Sequence, residues 1–350
     1  QELLNVRDTL QTCVETAVQL WLERDQTARA PMTTLPALTE LDSRLEQQLT
    51  LLREAGDLGW KCCWDNLAAN LKPGAVFAAA ATAVSHPEEA PFKQIIDYVN
   101  ATPDVAYELI AALGWVTPDR LRGRVRDLLT STSPLLRCVG ITACGLHHVD
   151  PGRYLDAALK DSGLRLRARA LRLVGELRLQ RYLPVLRQHL THANETWRFW
   201  AAWSAGLLAD GNGLEVLQRI VEHHADPAFQ QRAVDLLARA MNLEPARLWI
   251  RQLLLDEYLT PLVIRGLGVL GDSSAIPWLI RCMNGMTAPA AGAAFSLITG
   301  VDLIKEGLVA DSLEPAQDRE PVHSSSLPCP DSKAVNQWWS QQRRRYKKNR

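Results

Sequence analysis

The run Trp197–Trp203, with the sequence WRFWAAW, is the densest group of side chains able to recognise a partner. Trp200 and Trp203 are three positions apart, so they share one face of a helix. Tryptophan and arginine are the residue types found most often at binding hot spots. The pair is therefore the first candidate for a protein-binding surface.

A second candidate is a basic tail in which six of the last eight residues are cationic. Its members include Arg343, Arg344, Arg345, Lys347 and Lys348. Such a cluster predicts contact with phosphate groups or with an acidic protein face. The simpler interpretation, which we prefer at this point, is a solvated segment that binds nothing.

The sequence offers no pattern for catalysis. His147 and His148 are neighbours and would point in different directions from a helix, so the pair supplies one metal ligand at most. His189 and His192 have better spacing, but no carboxylate motif of a zinc site accompanies them. We find no nucleophile elbow, phosphate-binding loop or dinucleotide fingerprint. The sequence therefore predicts a protein that is not an enzyme and that holds no metal and no cofactor.

These residues belong to a repeat with a period of about 31 residues. The aligned segments share an arginine column: Arg137, Arg167, Arg198 and Arg232. A small residue follows each arginine by eight positions: Gly145, Gly175, Gly206 and Ala240. A period in this range marks a solenoid, in which stacked helical hairpins share a continuous core. We expect the arginine column to be structural and to pair with acidic side chains or helix-end carbonyls.

The repeat register extends the first candidate into a strip. The positions of Trp200 and Trp203 are occupied by two arginines in the preceding repeat and by two aliphatic residues in the following one. Stacked repeats would place these columns side by side. The predicted protein-binding strip comprises Arg169, Arg172, Trp200, Trp203, Val234 and Leu237. The alternative is that these side chains pack between repeats or against the tail.

The predicted fold is all-α, because no alternating β pattern of any length is present. We expect an N-terminal helical cap over 1–71 and an α-solenoid of HEAT-like helical hairpins over 72–303. A polar linker rich in proline and serine follows over 304–334. The C-terminal extension, 335–350, holds a helix and the basic tail.

Composition limits the setting. The formal net charge is zero, which argues against a nucleic acid as the main partner. The seven cysteines are scattered and odd in number, which is typical of a reducing compartment. No apolar run approaches the roughly 20 residues needed to span a bilayer. We therefore expect a cytoplasmic protein without a membrane anchor.

The repeat resembles HEAT or HEAT-like repeats, and longer strings resemble one bacterial HEAT-repeat family. Those strings are CVETAVQLWLERD at 13–25, LDSRLEQQLTLLREAGDLGW at 41–60, RFWAAWSAGLLAD at 198–210, AFSLITGVDL at 294–303 and VNQWWSQQRRRY at 335–346. That family tends to be encoded among type VI secretion genes. The resemblance implies a secretion-related setting and supplies no catalytic residue.

Two functions are compatible with these features. The first is a protein-binding scaffold that acts as an immunity protein or an adaptor for a secretion effector or apparatus component. The second is a nucleic-acid-binding protein similar to the DNA glycosylases that are built on HEAT-like repeats. The neutral net charge argues against the second.

Overall fold

The structure, a computed structural model, describes residues 2–30, 33–223, 226–310 and 327–346, with side chains from residue 6 onward. Nineteen α-helices lie in these ranges, and the one β-bridge among them joins Val309 to Pro330. The chain divides into two compact units, residues 1–177 and 178–350. Each unit is a set of packed helices, so the predicted all-α, solenoid-type fold is confirmed.

The first unit holds ten α-helices in its described residues. They are α1 (Glu2–Arg29), α2 (Leu35–Glu54), α3 (Gly56–Ala69), α4 (Pro73–Ser85), α5 (Ala90–Ala101), α6 (Ala106–Trp115), α7 (Arg124–Thr130), α8 (Pro134–Leu146), α9 (Arg153–Lys160) and α10 (Leu164–Glu176). Helices α1, α2, α3, α5 and α6 all pack on α4.

Helix α4 is buried on every side, from Gly74 to Val84. Its alanines allow neighbouring helices to approach closely, and Phe77 fills the space that remains. The ring of Phe77 stacks on Trp21 with centroids 3.8 Å apart and meets Trp115 edge-on at 5.8 Å. The indole N–H of Trp115 donates to Glu46 at 2.6 Å, so its polar end is satisfied.

The second unit holds nine α-helices in its described residues. They are α11 (Leu183–His189), α12 (Glu195–Leu207), α13 (Gly211–Glu222), α14 (Pro227–Ala240), α15 (Leu243–Leu253), α16 (Thr260–Leu270), α17 (Ile276–Cys282), α18 (Ala288–Thr299) and α19 (Ser332–Gln342). Consecutive helices pack on each other, as α12 does on α13 within one hairpin and α17 does on α18 of the next repeat. The first helices of successive repeats also pack together, α14 on α16 and α16 on α18.

The two column arginines of the first unit, Arg137 and Arg167, bind backbone carbonyls just before their own helices. Arg137 donates to the carbonyls of Ser131 and Thr132 at 3.0 and 2.9 Å. Arg167 donates to the carbonyl of Lys160, the last residue of α9, at 3.0 Å. These contacts satisfy carbonyls that a helix end leaves without a partner.

The other two column arginines lie in the second unit and differ from each other. Arg198 donates to the carbonyls of His192 and Ala193 at 2.6 and 3.3 Å, as its counterparts do in the first unit. Arg232 is exposed, and its guanidinium carbon lies 5.8 Å from the ring centroid of Trp200. The fourth arginine therefore contacts an aromatic face.

The small-residue column has two physical roles. A Cβ on Gly206 would lie 3.0 Å from Leu236 of α14, so this glycine permits close packing of neighbouring helices. Gly271 and Gly300 hold the same register position in two later repeats, eight residues after Val263 and Gly292. They instead end α16 and α18 at φ of 72° and 74°, in the left-handed region that glycine enters without strain. One column of the sequence thus serves helix crossing in some repeats and helix termination in others.

Helix α19 packs on α17 and lies beside α18. Val335 is fully buried, and the ring of Trp338 meets Phe295 of α18 edge-on at 5.7 Å. The hydroxyl of Tyr346 donates to the carbonyl of Thr299 at 3.1 Å. The described part of the C-terminal extension is therefore docked on the second unit.

The described ends of the predicted linker are joined to each other by backbone hydrogen bonds. Ala310 donates to the carbonyl of Cys329 at 3.0 Å, and Asp331 donates to that of Leu308 at 2.9 Å. Residues 311–326 lie outside the described residues. The predicted domain boundaries at 71, 303 and 334 stay predictions.

Asp272 forms a buried ion pair that fixes α15 to the turn after α16. Arg247 donates to both of its carboxylate oxygens, at 2.6 and 2.9 Å, and the Asp272 side chain is only 6% exposed. The guanidinium of Arg247 lowers the pKa of Asp272 from 3.8 to about 2. Because the folded-state pKa is lowered, the stabilisation is present above pH 4 and is lost as pH falls toward 2.

We expect the second unit to lose about 2 kcal/mol of stability between pH 4 and pH 2 through Asp272. The measurement is urea denaturation across this range for the wild type and for Asp272→Asn, which should show a smaller loss. Asp302→Asn is the comparison variant, because Asp302 is only partly buried and its ion-pair partner, Lys305, lies three residues away on the same turn. If the unfolding free energies of the wild type and Asp272→Asn fell by the same amount between pH 4 and pH 2, the assignment of this loss to Asp272 would be contradicted.

Candidate functional site

The centre of the candidate site is an aromatic cluster on α12 and α14. Trp200 and Trp203 are both partly exposed, and their rings meet edge-on at 5.6 Å. Phe199 is buried and stacks on Phe229 at 4.1 Å, and Phe229 also meets Trp200 at 6.4 Å. Buried Phe199 and partly exposed Phe229 support the tryptophans, so the two indoles are held in place at the surface of the second unit.

Arg232 adds a charge to this cluster. It lies over Trp200 and is exposed, and within the described residues it forms no ion pair. A cation placed over an indole face contributes about 0.5–2 kcal/mol, depending on its exposure. The guanidinium is thus oriented by the ring and keeps its N–H donors available for an acidic group.

One carboxylate lies on the outer face of α14 and is already bound. Arg265 of α16 donates to both oxygens of Asp235, at 2.6 and 2.7 Å. Arg239 donates to the backbone carbonyl of the same residue at 2.6 Å. The outer face of α14 and α16 therefore carries more positive than negative charge.

We name the surface formed by Trp200, Trp203, Phe229 and Arg232 the aromatic–arginine surface. The two tryptophans were found from sequence spacing, whereas Phe229 was missed. The signal for Phe229 is weak, because it occupies a first-turn position that holds proline, leucine or glutamate in other repeats. Arg232 was placed in the structural column, and its position over Trp200 depends on packing between α12 and α14.

The remaining members of the predicted strip lie elsewhere. Val234 and Leu237 are 1% and 0% exposed and belong to the core of the second unit. A partner cannot reach them without opening that core.

Arg169 and Arg172 belong to the first unit, where both bind Glu176, at 2.7 and 2.8 Å. Arg169 also donates to the hydroxyl of Thr142 at 3.0 Å. Burial lowers the pKa of Arg169. These two arginines are held by contacts within their own unit, and their alignment with the tryptophans stays a prediction.

A groove of about 710 Å³ lies between α13 and α15, the second helices of two hairpins. Its apolar lining includes Met241, Pro245 and Leu248, and Leu248 is 60% exposed. The indole N–H of Trp249 donates to Glu222 at 2.9 Å, so the polar end of that ring is already satisfied. The groove offers apolar area, but its charged lining residues include both acidic and basic side chains.

The basic tail is described up to Tyr346. Arg343, Arg344 and Arg345 form a short 3-10 turn after α19 and are all exposed. Lys347 and Lys348 lie outside the described residues.

Other residues with chemical potential are not grouped into a site. The seven cysteines carry free thiols, and burial raises the pKa of Cys63 to about 12 and of Cys144 to about 11. In the described ranges, histidine, cysteine and acidic side chains form no group of three that could hold a metal. No helix among the described residues is long and apolar enough to cross a membrane.

Residues 153–238 match the family model for HEAT repeats. This part of the chain is similar to HEAT repeats. The matched segment runs from α9 to α14 and contains the aromatic–arginine surface. HEAT repeats are commonly protein-interaction scaffolds, because stacked hairpins present extended binding surfaces. In a comparison with curated proteins, none matched the chain. The association with type VI secretion stays a prediction.

Proposed function

We propose that this HEAT-repeat protein is a non-catalytic scaffold that binds another protein through the aromatic–arginine surface. The observation that carries the proposal is the pair of partly exposed indoles, Trp200 and Trp203, held beside Arg232, which has no ion-pair partner in the part of the chain that the structure describes. Tryptophan and arginine dominate binding hot spots, where single side chains contribute 2 kcal/mol or more. Core packing alone explains neither the exposure of the indoles nor that of the guanidinium.

The side chains of the aromatic–arginine surface indicate which groups a partner must present. The rings would cover an apolar side chain, and the guanidinium would take a carboxylate as a charge-assisted hydrogen bond. The outer face around Arg239 and Arg265 adds positive charge beyond Asp235. An acidic segment that carries an aliphatic or aromatic residue fits these groups.

The resemblance to the type VI secretion family supports a secretion effector or an apparatus component as the partner. Two roles follow from such a partner. An immunity protein would suppress the toxicity of its effector in the same cell, and an adaptor would be required for the effector's export. The scattered cysteines support a cytoplasmic location for either role.

The proposal is tested with a pull-down from the native host, mass spectrometry and titration of the recovered partner. We expect Trp200→Ala/Trp203→Ala and, separately, Arg232→Glu to weaken binding at least about tenfold. Arg232 is exposed, so its substitution should leave the fold intact.

Trp60→Ala/Trp64→Ala is the matched control, because this partly exposed pair lies on α3 with ring centroids 5.4 Å apart. It should bind the partner as the wild type does. Circular dichroism of all variants separates lost binding from lost folding. Unchanged affinity in folded Trp200→Ala/Trp203→Ala would assign the pair to packing.

The glycosylase-like alternative finds less support at this surface. Base excision needs a carboxylate near the reacting sugar, and Asp235 on the outer face of α14 is bound by Arg265 through two hydrogen bonds. A direct assay for base release from damaged duplex DNA is expected to show no activity.

A further inference from the structure

The last nineteen residues of the chain, 332–350, contain seven basic residues and no acidic one. The zero net charge of the whole chain conceals this local excess. Six of the seven lie at or after Arg343. In the described part, Arg343, Arg344 and Arg345 are exposed and form no ion pair. Three adjacent guanidiniums thus remain available for a ligand.

The apolar side chains of this segment are directed toward the second unit. Val335 is fully buried, and Trp338 meets Phe295 at 5.7 Å. Trp338 and Trp339 both contact the ring of Tyr346, at 6.4 and 5.5 Å. The aromatic residues are therefore used to dock α19 and the turn that follows it.

The outward face of α19 is polar throughout. Its exposed residues are Lys333, Asn336, Gln337, Ser340 and Gln341, followed by the three arginines of the turn. A helix that binds a membrane surface needs an exposed apolar face to insert, and this face has none. A protein interface buries an apolar core inside a polar rim, which this face also lacks. Contacts with phosphates need only positive charge and hydrogen-bond donors.

We propose that the exposed face of α19, together with residues 343–346, binds the phosphate backbone of a nucleic acid without reading its sequence. Lys333 and the three arginines neutralise phosphates, and the amide side chains of Asn336, Gln337 and Gln341 donate hydrogen bonds to phosphate and sugar oxygens. The docking of Tyr346 on Thr299 holds the turn in place, so the three guanidiniums are presented from an ordered position. This site is separate from the aromatic–arginine surface and does not depend on the proposed function.

The test is fluorescence anisotropy with a labelled single strand of roughly 20 nucleotides and mixed sequence. We expect binding to weaken about fiftyfold between about 50 and 200 mM salt, since four neutralised phosphates give a slope of roughly −3 in log K against log salt. Arg343→Gln/Arg344→Gln/Arg345→Gln should bind at least about tenfold more weakly at low salt and should reduce the slope by about 2. The corresponding triple lysine variant should retain binding.

The matched control is Arg120→Gln/Arg122→Gln/Arg126→Gln, which removes three exposed arginines from the first unit. It lowers the net charge of the chain equally and should bind as the wild type does. An equal loss in both glutamine variants would show that binding follows total charge and would overturn the site. Absence of binding at low salt would also overturn it, as would stronger binding to anionic vesicles or to polyglutamate than to the oligonucleotide.

Discussion

Phe77→Ala is expected to destabilise the first unit by about 4 kcal/mol. Phe77 is fully buried and fills the space between Trp21 and Trp115 in a helix that is surrounded on all sides. Truncation removes its buried area and leaves a cavity that the rigid indoles and the backbone of α4 cannot close. This loss is a large share of the 5–15 kcal/mol that stabilises a typical domain.

The measurement is denaturant unfolding followed by tryptophan fluorescence, because Trp21 and Trp115 lie against the mutated side chain. Phe77→Leu keeps most of the volume and should cost less than half as much. Leu51→Ala, at a position 48% exposed on α2, should cost well under about 1 kcal/mol. A loss of less than about 1 kcal/mol in Phe77→Ala would show that the aromatic core of the first unit is packed differently.

Gly213→Val is expected to destabilise the second unit by about 3 kcal/mol. Gly213 lies where α13 crosses α12, and a Cβ there would be 2.7 Å from the Cβ of Ala205 and 2.9 Å from the carbonyl of Ala202. Both contacts are too short, and one involves backbone, so the helices must move apart. Movement of α12 would also disturb the support of Trp200 and Trp203, so partner binding should fall with stability.

Gly211→Val is the matched control for this change, since it introduces the same side chain two positions earlier in α13. A Cβ at Gly211 meets nothing within 4 Å. Its unfolding midpoint should stay close to that of the wild type, apart from a small propensity effect. Equal losses in the two variants would attribute the effect to helix propensity and contradict the proposed close crossing.

The repeat period predicted the fold class correctly because each hairpin repeats the same packing problem. Arginines at about 31-residue spacing mark the starts of first helices, and three of the four bind backbone carbonyls just before their own helices. The period could not show that Arg232 turns toward Trp200, because that contact depends on an aromatic neighbour present in one repeat only. The repeat pattern thus specified the helical hairpins, whereas the composition of the aromatic–arginine surface depends on contacts between particular side chains.

The ends of the first helices also differ from what the repeat pattern alone indicates. The left-handed turn after a first helix falls at His148, Arg178 and Ala209, with φ of 53°, 52° and 61°. These positions recur with the repeat period although none is glycine. In these repeats the column glycines, Gly145, Gly175 and Gly206, lie three residues earlier, so the glycine column does not mark the left-handed position. The candidate site was predicted in part for a similar reason, since spacing found Trp200 and Trp203 but could not show that Val234 and Leu237 are buried.

Helix α4 has a consequence for dissecting the molecule. Gly74–Val84 is covered on all sides, and three of the covering helices, α1, α2 and α3, precede residue 72. A fragment that begins at residue 72 would therefore expose an apolar, alanine-rich helix face to solvent. Such a fragment should aggregate, whereas one that retains 1–71 should not. Within the first unit, the amino-terminal helices are therefore required to cover the apolar surface of α4 and cannot be deleted without exposing it.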